Sequence, residues 1–160
     1  MTRHVSGTTA RLAGQAWEDA LGNYHSYLAA QGLAVVHKTG PQVTFTKLRG
    51  QVGPVVTGPG PADYVGVLAD GRFVGFEAKS TSATSGYTLP EKSLHQLYWL
   101  DAIRRTSGGR AKAFYIVLYR TENETRLHRL QDILPGKRLR RSDGIVIPDG
   151  ISWIDMLKYV

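Results

Sequence analysis

Cysteine is absent from this 160-residue chain, which excludes disulfides and thiolate metal centres. Long apolar runs are absent too. The longest strongly apolar one, Ala113 to Tyr119, is far too short to cross a bilayer, so no membrane partner is expected. No charged segment followed by an apolar one opens the sequence, so secretion is not expected and a cytoplasmic protein is. The histidines at 4, 25, 37, 95 and 128 form no zinc spacing, and no Ser-His-Asp order stands out. Acidic residues are in short supply: 13 Asp and Glu face 20 Lys and Arg, a net charge of +7. That surplus suggests a polyanionic partner, most simply nucleic acid.

What is present has ordinary globular proportions, 42% apolar and 21% charged, and a length suited to one core. Residues 1–10 are rich in Ser, Thr and Gly and read as a mobile arm, leaving 11–160 as a single domain. Trp17, Ala20, Leu21, Tyr24, Tyr27 and Leu28 recur at helical spacing from Leu12 to Ala30. Short strands are expected at 33–38 and 43–47. Between 48 and 61 lies a Gly/Pro-rich, stalk-like excursion: Arg49 to Pro61 holds four Gly and three Pro. A hairpin follows from Ala62 to Lys79, turning at Ala69-Asp70-Gly71. Pro90 opens a second helix to about Arg105, stopped by Ser107-Gly108-Gly109. Ala111 to Tyr119 reads as a central strand covered on both faces, and Trp99 as core. Strands at 126–130 and 145–147 and a terminal helix burying Ile151, Ile154 and Leu157 complete the order. The fold class is α/β, one mixed sheet between helices.

The hairpin carries the chemistry. Glu77 and Lys79 are two apart in a strand, so both project from one face, against the apolar background of Phe73-Val-Gly-Phe76. A two-residue turn at Asp70-Gly71 would send Asp63 to the other face. A three-residue turn with Gly71 left-handed sets Asp63 opposite Glu77, and this second register is the expected one. Two carboxylates and a lysine then form the minimum equipment for a metal-dependent cut in a phosphodiester. Asp63 and Glu77 would hold Mg²⁺, with the Ala78 carbonyl as a further ligand, and Lys79 would stand beside the attacked phosphate. The alternative is a structural ion pair at a solvated sheet edge.

Elsewhere the residues leave two readings open. Glu18 follows Trp17 at the edge of the first helix's apolar stripe and is by itself a solvated carboxylate. Gln96 lies between Leu94 and Leu97 and is by itself an exposed glutamine. The basic run 137–141 is either a solvated face or, with Arg104, Arg105, Arg110 and Lys112, a phosphate-tracking surface.

Ala62-Asp-Tyr-Val-Gly66, Gly75-Phe-Glu-Ala-Lys-Ser-Thr81 and Leu94-His-Gln-Leu97, in this order, resemble the RecU-type Holliday junction resolvases of the PD-(D/E)XK nuclease superfamily. The likeness extends to Trp17-Glu18, His37-Lys38 and Gly108-Gly109 and covers roughly residues 11 to 134. It implies a restriction-endonuclease-like fold. It also implies a homodimer that binds four-way junction DNA and nicks two opposed strands with Mg²⁺, for which Mn²⁺ substitutes. Carried over by position, Asp63 and Glu77 are metal ligands, Lys79 is the catalytic lysine, Gln96 joins the metal site and Glu18 faces the active centre. DNA contacts are expected from Lys38, Lys47, Arg49, Arg72, Ser80, Thr81, Arg104 and Arg105. The chain departs from the family in having Pro61 where a Thr is usual, and in a shorter stalk. The compact size suits a phage-encoded or bacterial protein. Two alternatives remain: a nuclease of the same superfamily acting on other branched or duplex DNA, and a non-catalytic basic junction-binding module.

Overall fold

The computed structural model describes residues 3–48, 51–58 and 60–160. A first helix, α1 (Arg3–Ala30), buries Trp17, Leu21, His25 and Leu28 along one stripe. It closes with backbone bonds from Leu33 N–H to the Leu28 carbonyl (2.9 Å) and from Gly32 N–H to Ala29 (3.0 Å). The helix therefore begins well before Leu12. Residues 3–10, expected as an irregular arm, are its first turns. Their Ser, Thr and Gly lower helix propensity without forbidding a helix that continues into a well-packed segment.

Five strands follow: β1 (Ala34–Lys38), β2 (Gln42–Leu48), β3 (Gln51–Gly58), β4 (Tyr64–Leu68) and β5 (Phe73–Thr81). The expected excursion is thus half of a hairpin, with β2 and β3 antiparallel and Phe45 opposite Pro54. This hairpin forms its own two-stranded sheet. Next come β6 (Gly86–Thr88), α2 (Leu94–Thr106), β7 (Lys112–Tyr119), β8 (Glu124–Arg129), the short α3 (Leu130–Ile133), β9 (Arg138–Arg140) and β10 (Ile145–Ile147). Pro90 precedes a single 3-10 turn, Glu91–Ser93, before α2 proper. The main sheet has six strands in the order β1-β4-β5-β7-β8-β10. Only β5 and β7 run parallel, because α2 crosses over between them. A mixed sheet flanked by helices is the restriction-endonuclease-like arrangement.

Alternation along the strands divides the core. Val74, Phe76, Phe114 and Ile116 face α1 and Trp153, whereas Ala113, Tyr115, Val117 and Tyr119 face Leu97 and Leu100 of α2. The end of the chain corrects one expectation. Trp153–Tyr159 is a 3-10 helix that buries Trp153 and Leu157, while Ile151 and Ile154 are half-buried. Trp153 tilts against Phe76 at 5.2 Å and Phe114 at 5.8 Å. Trp99 is half-buried rather than central, edge-on to Phe73 at 6.2 Å. Gly66 is required by close approach: a Cβ there would collide with the Val35 carbonyl of β1.

Candidate active site

The β4–β5 register decides whether a site exists. Tyr64 pairs with Phe76 and Val67 with Phe73, and the Leu68 amide donates to the Arg72 carbonyl at 2.9 Å. Ala69, Asp70 and Gly71 are left as a three-residue turn, with Gly71 at φ +82°. One step beyond Tyr64, Asp63 falls on the same face as Glu77. Its Oδ2 accepts the Ala78 amide at 3.0 Å. Lys79 Nζ lies 2.5 Å from Glu77 Oε2 and 3.5 Å from Asp63 Oδ2. Asp63, Glu77 and Lys79 thus converge under the α2 layer.

Their environments differ. Glu77 is fully buried, while the Asp63 side chain keeps a third of its surface. Burial, reinforced by the neighbouring Asp63 charge, pushes the Glu77 carboxyl up to about 8. Burial works against the Lys79 charge, but Asp63 and Glu77 outweigh it and hold the ammonium above its ordinary range. The second Glu77 oxygen, Oε1, is buried and has no hydrogen-bond partner. A buried carboxylate with one unmet oxygen beside a second carboxylate is a donor set that fits a hard divalent cation. Among the described residues no third His, Asp or Glu joins them in a metal-binding group. Further ligands would have to come from neutral oxygens.

The other expected residues are distributed unevenly. Glu18 stands on the α1 side, 2.5 Å from Lys38, and both side chains are exposed. Lys38 is register partner to Tyr64, so this pair flanks the Asp63 end of the sheet across the other layer. Gln96 is half-buried in α2, in the layer over the Glu77 face, but is not bonded to Asp63, Glu77 or Lys79 among the described residues. Ser80 Oγ accepts from Arg120 at 2.6 Å, and Thr81 Oγ1 from the Ala83 amide at 3.1 Å, just past Lys79 on β5. Lys47 is exposed on β2, and Arg49 lies outside the described residues.

Three of the residues expected to contact DNA lie away from the acidic cluster. Arg72 belongs to the turn at the opposite end of the hairpin, where Asp70 holds it at 2.6 Å. Arg104 and Arg105 are drawn onto Asp101 at 2.7 and 2.9 Å, near the start of β7 and the same far end. The basic run instead forms β9, paired to β6 beyond the Thr81 end. Arg104, Arg105, Arg110 and Lys112 therefore do not make one surface with 137–141. Sequence reading also passed over Tyr115, whose hydroxyl is buried without a partner on the strand beside Glu77. Inside an apolar run, it counted as core.

Among the described residues no helix is long and apolar enough to cross a membrane. No curated protein matches the chain. The family model of recombination protein U matches residues 12–142, a stretch that spans α1, the Asp63–Glu77–Lys79 hairpin, α2 and the β6–β9 pair. The chain belongs to the recombination protein U family of Holliday junction resolvases.

Proposed function

We propose that the protein is a metal-dependent endodeoxyribonuclease that resolves four-way DNA junctions, as a homodimer, by paired nicks in opposed strands. The observation that carries this reading is the fully buried Glu77, with Lys79 on one oxygen, no partner on the other, and Asp63 alongside. A structural ion pair would place both oxygens on protein donors. Asp63, Glu77 and a neutral oxygen such as the Ala78 carbonyl or Gln96 would hold Mg²⁺ or Mn²⁺. When bound, the cation supplies Lewis acidity at the scissile phosphate.

The remaining work falls to the chain. The Ala78 amide fixes the Asp63 carboxylate, so its position is set by the strand backbone. Lys79, anchored between the two acids, carries a permanent positive charge to the point where negative charge grows on the phosphate. Burial beneath α2 lowers the local dielectric and strengthens both effects. Arg138 and Arg140 on β9, at the Thr81 end, and Lys47 on the β2–β3 hairpin are exposed cations available to the DNA backbone. A two-fold dimer suits a junction, which presents two equivalent strands.

The test sets a labelled immobile four-way junction beside linear duplex of the same arms, with Mg²⁺ or with EDTA, for wild type and Lys79→Ala. Paired symmetric nicks in the junction alone, lost with EDTA and in the variant, are expected. Equal cutting of the duplex would reduce the protein to a general nuclease. Tight binding without cutting under either Mg²⁺ or Mn²⁺ would leave a junction-binding module.

A further inference from the structure

We propose that the Tyr115 hydroxyl is a positioning group for Glu77, holding its second carboxylate oxygen through one shared buried water. Glu77 and Tyr115 are register partners on the parallel strands β5 and β7. Neighbouring strands lie about 4.8 Å apart, and these two side chains project to the same α2-covered face. Both residues are fully buried, and each ends in a polar atom without a hydrogen-bond partner, Glu77 Oε1 and Tyr115 Oη. Among the described residues the other such atom is Glu122 Oε2, in a partly exposed turn.

Leaving a buried polar atom unmet is costly. Two such atoms on adjoining residues therefore demand a common partner. They are not bonded to each other. One water that accepts from the Tyr115 hydroxyl satisfies both, donating to Glu77 when it is charged and accepting from it when it is protonated. Tyr115 is held in its protonated, donating form by burial and then by the nearby Glu77 and Asp63 charges. Tyr119, four residues along β7 on the same face, shows the ordinary arrangement: its hydroxyl meets His128 Nε2 at 3.1 Å. Tyr115 has no such protein partner. With Lys79 on Oε2 and the Tyr115-held water on Oε1, the Glu77 carboxylate plane is fixed relative to Asp63.

The water bridge stands by itself, and its consequence for metal rests on the nuclease reading above. Partners that orient a metal ligand are typically worth 10–100-fold in affinity or activity. The experiment is calorimetric titration of DNA-free protein with Mn²⁺, wild type against Tyr115→Phe, with thermal unfolding and junction-cleavage kinetics alongside. We expect Mn²⁺ affinity to fall about 10-fold, kcat to fall with it, junction KM to stay, and Tm to hold. A folded Tyr115→Phe with wild-type Mn²⁺ affinity overturns the assignment. A crystal structure of the wild type showing ordered water supplies the second measurement, independent of how the variant folds. One water within hydrogen-bond reach of both atoms supports the bridge, and a dry gap or another protein donor on Oε1 overturns it. A wild type that binds no Mn²⁺ would sink the nuclease reading, and the crystallographic water would still decide the bridge.

Discussion

At the turn of the β4–β5 hairpin, Arg72 holds Asp70 at 2.6 Å with both side chains open to solvent. Farther along β5, Lys79 holds Glu77 at 2.5 Å with the carboxylate fully buried. The two pairs have the same sequence spacing and nearly the same length. At the turn, water meets every atom the partner does not, and such a screened surface pair contributes little. Under α2, the carboxylate is shut off from bulk solvent, one Glu77 oxygen has no protein donor, and Asp63 adds a like charge. Separation in ångströms does not distinguish the pairs; what burial leaves unsatisfied does. A fold gains little by burying an acid pair in this state, so the arrangement points to a ligand.

The widest gap between the pairs should appear in catalysis. Lys79→Ala is expected to lower junction cleavage by about 10²–10³-fold, while Arg72→Ala leaves it unchanged in the same gel assay. Equal losses would erase the distinction.

Next in size is the pH dependence of stability without metal. The Glu77 pKa is raised in the folded state, so its favourable contribution is complete below about 4.5 and is lost as pH climbs to about 8. His25 and His128 are lowered to about 4 by burial, so their contribution is complete above 6.5 and is lost as pH falls through 4. Between 6.5 and 8 only the Glu77 effect remains of these three. In EDTA, wild type should lose stability there at a slope approaching ~1.4 kcal/mol per pH unit. Glu77→Gln should be flat, as read from denaturant midpoints. A flat wild-type curve would mean that the folded protein holds Glu77 charged across this range.

Gly71→Ala strains a left-handed residue with open space around it, so a cost of about 1 kcal/mol is expected, with cleavage retained because turn length is unchanged. Smallest of all, Arg72→Ala should barely move the denaturant midpoint, and by less in high salt. A larger shift would show the turn pair to be more than a screened surface contact.

The hairpin was readable because its turn residues impose their own geometry. Ala69-Asp70-Gly71 narrows the loop to two or three residues, and only the three-residue register brings Asp63 to Glu77. Helix α2 was readable from Pro90 and from the glycines beyond Thr106. Other features depend on contacts distant in sequence. A three-residue strand such as β9 offers one buried residue, Leu139, against two exposed arginines, too little alternation to mark a strand. Which end of the sheet receives Arg104 and Arg105 follows from the direction of β7, and composition does not encode that. Trp153 was missed because a 3-10 helix does not bury residues at α-helical spacing. Tyr115 was missed because its hydroxyl matters only once its neighbour across the strand is known.

The turn at Ala69-Asp70-Gly71 also limits how such a chain can diverge. Its residues can be exchanged at modest cost, but its length has parity. Losing or gaining one residue there would slide β5 by one position against β4 and carry Asp63 round to the α1 side, away from Glu77 and Lys79. Descendants of this sequence can vary the composition of the loop freely, yet single-residue insertions and deletions should be lethal to activity while the sheet itself survives.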